Sequence, residues 1–209
     1  MKILCKSDHS SGKSTLHVCL LLVLMVGSGL AQRGAVTLPR NLAELTAQSE
    51  TIFRGRIVSA KVEPHPEFAG LQTVVVTIAV SEALKGDPGQ TFTFRQFIWD
   101  PRDKLDAAGY RKGDELLLLM NPPTKYGLSS PAGLGQGRFL IRHDASGKTV
   151  ALNEMGNQGL FRGIAPELSK RSVQLSPRLS KIVAQPGAGP LELDDLRGLI
   201  RSFVQGKAQ

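Results

Sequence analysis

Apolar and polar residues alternate with a period of two through much of residues 51–152, which predicts strands, not helices. Thr51 to Val62 reads as a strand, with Phe53, Gly55 and Ile57 on one face. Arg54 and Arg56 share the other face with Ile52 and Val58. A glycine inside a strand weakens it unless the sheet bends sharply, so Gly55 predicts a bend. Glu63-Pro64-His65-Pro66 ends this strand. Gln72 to Leu84 is the clearest element, with Val74, Val76, Ile78 and Val80 on one face. Lys85 to Gly89 is a turn, with Pro88 and Gly89 suited to its centre. Gln90 to Trp99 follows; its run Phe97-Ile98-Trp99 breaks the alternation and predicts a bulge near Gln96. After a polar loop from Asp100 to Tyr110 come Glu115 to Met120, Arg138 to His143 and a short strand, Thr149 to Leu152. The long loop Thr124 to Gly135 lies between the first two of these.

Helical signals flank the strands. Asn41, with Glu44 three residues on, has the form of a capping box over Leu42 to Gln48. Leu196, Leu199, Ile200 and Phe203 recur at helical spacing in Asp194 to Val204, with Asp194 and Asp195 in the first turn. Between them, Arg162 to Pro190 carries five basic residues, one acid and four prolines, and reads as linker. Five or six strands in sequence, without strand-helix-strand alternation, argue for an antiparallel sheet. Removing its edges calls for closure, so the expected fold is mainly β, a small antiparallel β-barrel with a short N-terminal helix and a C-terminal amphipathic helix.

The N-terminus changes the composition that matters. Lys2, Lys6 and Lys13 precede an apolar run from Leu16 to Val26, broken only by His17, and Gly29-Leu30-Ala31 supplies small residues for cleavage. This order predicts a signal peptide over 1–31, and the run is too short to span a bilayer comfortably. The expected location is therefore periplasmic or extracellular, with no transmembrane segment after cleavage. Cys5 and Cys19 would leave with the peptide. The remaining 178 residues would hold 23 basic and 17 acidic groups and no cysteine, so core packing must hold them together. The basic excess lies mostly in 162–190, which suits weak attraction to anionic surfaces.

Candidate chemistry is sparse. Ser11-Gly12-Lys13-Ser14-Thr15 ends like a phosphate loop, but Ser7 stands where its first glycine belongs. His65 and His143 read as solvated surface residues, and neither zinc spacing nor a nucleophile elbow accompanies them or Ser129 and Ser130. Gly133 to Gly137 lacks dinucleotide spacing, and Asp100, Asp103 and Asp106 lack that of a calcium loop. No cofactor or metal is expected. Phe92, Phe94, Phe97, Trp99 and Tyr110 could stack beside Arg54, Arg56, Arg95 and Arg102. Most of these phenylalanines are expected to fill the interior, with Trp99 the exposed exception. The candidate binding residues are therefore Arg54, Arg56, Arg95, Trp99 and Arg102.

Four runs carry a resemblance: Leu42 to Leu45, Ile52 to Val58, Val74 to Gly86, and Lys112 to Leu118. Together they resemble a group of exported bacterial proteins whose strand order is similar to the OB-like barrel of netrin-like modules and tissue inhibitors of metalloproteases. The resemblance spans about residues 41–160. Those inhibitors grip zinc with an N-terminal cysteine, which the mature chain lacks. The expected organisation is a signal peptide (1–31), a lead-in (32–40), an OB-like barrel (41–161), a basic linker (162–190) and a C-terminal helix (191–209). The expected function is a non-enzymatic module binding a protein or glycan of the envelope or extracellular space, not nucleic acid. Inhibition of a secreted protease and a hydrolase using His143 are the alternatives.

Overall fold

The computed structural model describes residues 38–184 and 187–206; the expected signal peptide and residues 32–37 of the lead-in lie outside them. The first element is α1 (Leu42–Gln48), and its capping box forms: Asn41 Oδ1 accepts from the Glu44 amide, and Glu44 Oε2 accepts from the Asn41 amide, each at 2.9 Å. At its other end Lys85 Nζ donates to the carbonyls of Thr46, at 2.9 Å, and Ser49, placing a cation where the helix dipole is negative. Burial, then the nearby Arg171 charge, lowers the Lys85 pKa.

Seven strands follow in one antiparallel sheet: β1 (Thr51–Pro64), β2 (Gln72–Lys85), β3 (Thr91–Phe97), β4 (Glu115–Met120), β5 (Arg138–His143), β6 (Thr149–Asn153) and β7 (Leu191–Glu192). Their order is β3-β2-β1-β4-β5-β6-β7. The sheet is open and does not close into the expected barrel. Its edges are managed differently: β7 is two residues long, and the middle of β3 is bridged at Arg95 by Leu128. A second bridge, Met120 to Pro131, ties the same connecting segment to the end of β4.

The two faces of the sheet bury two cores. Leu117 and Leu119 of β4 join Ile52, Phe139 and Ile141 under α1 and the last helix, while Leu116, Leu118 and Met120 join Phe53, Val74, Val76, Ile78 and Phe94 on the opposite face. Burial on both faces explains why β4 reads as an unbroken apolar run. Gly55 sits at a register shift, and a Cβ there would lie 2.5 Å from both the Ala79 carbonyl oxygen and Ile78 Cγ2. A further shift between Ile57 and Ser59 leaves Val58 half exposed and reverses the alternation, so Ala60 and Val62 rejoin the inner core. The bulge expected near Gln96 is absent: β3 pairs in regular register with β2 from Thr91 to Phe97. The apolar run there is true alternation. Ile98 is buried, while Trp99 is exposed and Phe97 stacks against it.

Beyond β6, the segment read as linker contains two helices, α2 (Ile164–Lys170) and α3 (Pro177–Ala184). Ile164 is buried, and Leu168, Val173, Leu175, Leu179, Ile182 and Val183 pack partly against the larger core. Two of the four prolines that suggested a linker, Pro166 and Pro177, sit in the first turns of these helices, where a missing N–H costs nothing. The last helix, α4 (Leu193–Gln205), inserts Leu196, Leu199, Ile200 and Phe203 into the same core. Arg197 and Arg201 of α4 both reach Glu82 Oε1 on β2, at 2.6 and 2.5 Å. The helix therefore belongs to the same compact unit as the strands.

Candidate functional site

The five candidate residues fall into two groups. Arg54 and Arg56 lie on β1 beside β4: Arg54 Nε meets Glu115 Oε1 at 2.6 Å, and Arg56 Nη1 donates to the Gly113 carbonyl at 2.8 Å. Arg95 pairs through Val75 with Lys61, seven residues further along β1, or about 20 Å at strand rise. Its guanidinium is held by Glu63 Oε1 at 2.7 Å and Thr73 Oγ1 at 2.8 Å. Trp99 and Arg102 follow just beyond this end of β3. The structure thus places Arg95, Trp99 and Arg102 at one end of the β1-β2-β3 ribbon and leaves Arg54 and Arg56 apart.

Trp99 is 64% exposed, and its ring stands edge-on to Phe97 at 4.7 Å between centroids. Phe94 is buried and Phe92 packs on Phe53 at 4.7 Å, both in the interior as expected, and Tyr110 is buried too, 5.6 Å from Phe94. Arg102 is pinned to Asp100, whose carboxylate accepts from Arg102 Nε at 2.9 Å; this bond and its charge raise the Arg102 pKa. Burial, and then the charges of Asp100 and Asp106, push the Asp103 pKa up.

The same end carries aromatics that the sequence reading passed over. Phe68, in the β1–β2 turn, and Tyr126 are 44% and 46% exposed and meet edge to face at 5.5 Å. Lys125 Nζ lies 4.9 Å from the Tyr126 ring centre. His65 fastens this contact and is buried, not solvated: its Nδ1 accepts from the Glu67 amide at 3.2 Å. That bond leaves the ring proton on Nε2, which donates to the Tyr126 carbonyl at 2.9 Å. The available signal was Phe68, an aromatic isolated in a polar turn.

The loop bearing Trp99 is anchored at its far end by contacts absent from local sequence. Ala107 and Ala108 both adopt left-handed backbone, with φ of 53° and 55°. Arg138 on β5 holds them there: its Nη1 donates to the Ala108 carbonyl at 2.7 Å, its guanidinium lies 4.3 Å over the Tyr110 ring, and it pairs with Glu154. The Tyr110 hydroxyl donates to Gln96 Oε1 at 2.8 Å. A Cβ on Gly135 would strike the Glu154 carboxylate, so that glycine makes room for the pair.

The remaining candidates do other work. His143 is exposed and its Nδ1 lies 3.3 Å from Thr149 Oγ1, while the Asp144 carboxylate accepts from Ser146 and Lys148 within its own turn. These bonds, led by the Ser146 hydroxyl, lower the Asp144 pKa. Ser129 Oγ donates to the Asn121 carbonyl at 2.9 Å. Among the described residues no group of three or more His, Cys, Asp or Glu is arranged to hold a metal, and no helix is long and apolar enough to cross a membrane. Compared with protein-family models, curated proteins and solved structures, the chain finds no match.

Proposed function

We propose that this chain is an exported, non-enzymatic binding module of the cell envelope or extracellular space. It takes a protein or glycan on the aromatic end of the β1-β2-β3 ribbon. The observation that carries this reading is Trp99, exposed on its loop and backed by Phe97. A tryptophan presents a broad apolar face and one N–H donor, the combination that dominates protein hot spots and stacks on ligand rings. Phe68, Tyr126, Lys125 and Arg102 extend that end with further π-faces and cations. The OB-like, netrin-type arrangement is part of the proposal, supported by the β1-β2-β3 meander and by the bridges through Leu128 and Pro131.

Trp99 is the only tryptophan in the chain, so its fluorescence reports this site alone. Titration with chito- and cello-oligosaccharides, and with fractionated envelope proteins, is expected to give a saturable blue shift for one ligand. Calorimetry with Trp99→Ala should show that binding lost. A ligand bound with unchanged emission, and with equal affinity for Trp99→Ala, would place the site elsewhere.

A further inference from the structure

The α2–α3 hairpin does not close on itself. A groove of about 390 Å³ runs between its helices, walled by Phe161, Ile164, Leu168, Val173, Leu175 and Val183. Ser180 supplies the single hydroxyl of the lining, and no charged side chain enters it. No residue of α3 is fully buried, and its Val183 and Ala184 lie half-covered or exposed along the groove. The volume is that of a small-molecule site, and an uncovered apolar groove of this kind marks a binding surface.

The segments that supply the lining carry one sign of charge in excess. Arg162 stands between the lining residues Phe161 and Gly163, and Lys170 and Arg171 follow Leu168 at the end of α2. Lys170 and Arg171 share one carboxylate, Glu167, at 3.0 and 3.7 Å. Among the described residues, Arg162 has no carboxylate within ion-pair distance. Three cations against one anion in the segments that supply a mostly apolar lining fit a ligand with an apolar tail and an anionic head. We propose that the α2–α3 groove binds a single fatty-acid anion, its chain along the groove and its carboxylate at Arg162. This site is separate from the Trp99 end and does not depend on the function proposed for it.

The test is calorimetric titration of the full chain with octanoate, decanoate and dodecanoate at neutral pH and low salt. One-to-one binding is expected, tightening about fourfold per methylene until the groove is filled. Ala165 and Ala184 line the groove yet are exposed, so Ala165→Trp and Ala184→Trp should fill it without disturbing the core. Both are expected to abolish binding, and Arg162→Glu to weaken dodecanoate several-fold but not dodecanol. Absence of saturable binding, or binding indifferent to both tryptophans, overturns the proposal. So does adsorption to phosphatidylglycerol vesicles with no binding of free dodecanoate. Equal affinity for dodecanol and dodecanoate removes the assigned anionic head.

Discussion

Replacing Arg138 by Met removes the guanidinium that holds the Trp99 loop while keeping much of the side chain's volume. The side chain is 17% exposed, so water cannot simply take its place. Its charged hydrogen bond to the Ala108 carbonyl is worth about 1.5–3 kcal/mol, because that oxygen loses a charged donor. The cation over the Tyr110 ring adds about 1 kcal/mol. The Glu154 pair adds about 0.5 kcal/mol or less, since that carboxylate is 48% exposed and resolvates. The total is about 3 kcal/mol. Opposing it, left-handed backbone at two consecutive alanines costs about 1–2 kcal/mol per residue. The two sums are comparable, so the variant should lose about 3 kcal/mol of holding energy and recover part of it by letting the loop relax. Urea unfolding should show a net loss of about 2 kcal/mol. Hydrogen exchange should quicken at the amides of Gly109 and Tyr110, which bond to Asp106 and Ala107. Arg142→Met is the control: that guanidinium is 55% exposed beside Asp114, and its loss should change stability by about 0.5 kcal/mol or less. An unchanged urea midpoint with unchanged exchange over residues 105–110 would refute the latch.

Burial raises the Tyr110 pKa to about 12, against the opposing pull of Arg138. The folded state therefore keeps a proton that the unfolded chain loses from about pH 10, and stability falls by about 3 kcal/mol between pH 10 and 12, being fully present below. Tyr126→Phe leaves Tyr110 as the only tyrosine, so its absorbance titration at 295 nm should have a midpoint near 12; a midpoint near 10 would show the ring to be solvated. Gly55→Ala forces a Cβ into the Ala79 carbonyl and should cost about 2–3 kcal/mol, read as a lowered melting temperature. Gly70→Ala, with nothing within 4 Å, should leave melting within a degree or two, and equal effects at the two sites would discount the close approach.

Much of this architecture was legible in the sequence where a side chain's fate is decided by its immediate neighbours. The strands Glu115–Met120 and Arg138–His143 and the helix Leu42–Gln48 have the bounds their patterns predict, because alternation and a capping box are local. Tertiary partners decided the rest. Whether the sheet closes depends on what covers it, and the helices that cover it include two hidden in a stretch whose prolines and basic residues mimic a linker. His65 looked solvated because its hydrogen-bond partner, the Tyr126 carbonyl, lies 61 residues away. Arg138 was legible as a strand residue but not as the anchor of a loop thirty residues upstream. Trp99 is the exposed aromatic that the sequence predicts, but regular alternation, not the predicted bulge, puts Ile98 inside and Trp99 outside.

The larger core receives five of its buried side chains from α4, the last element of the described chain. During synthesis these thirteen residues leave the ribosome after every strand, so a nascent chain lacking them holds Leu117, Leu119 and Phe139 without their cover. A chain shortened so that α4 is missing should therefore leave an otherwise intact sheet with one apolar face uncovered, a substrate for chaperones and proteases.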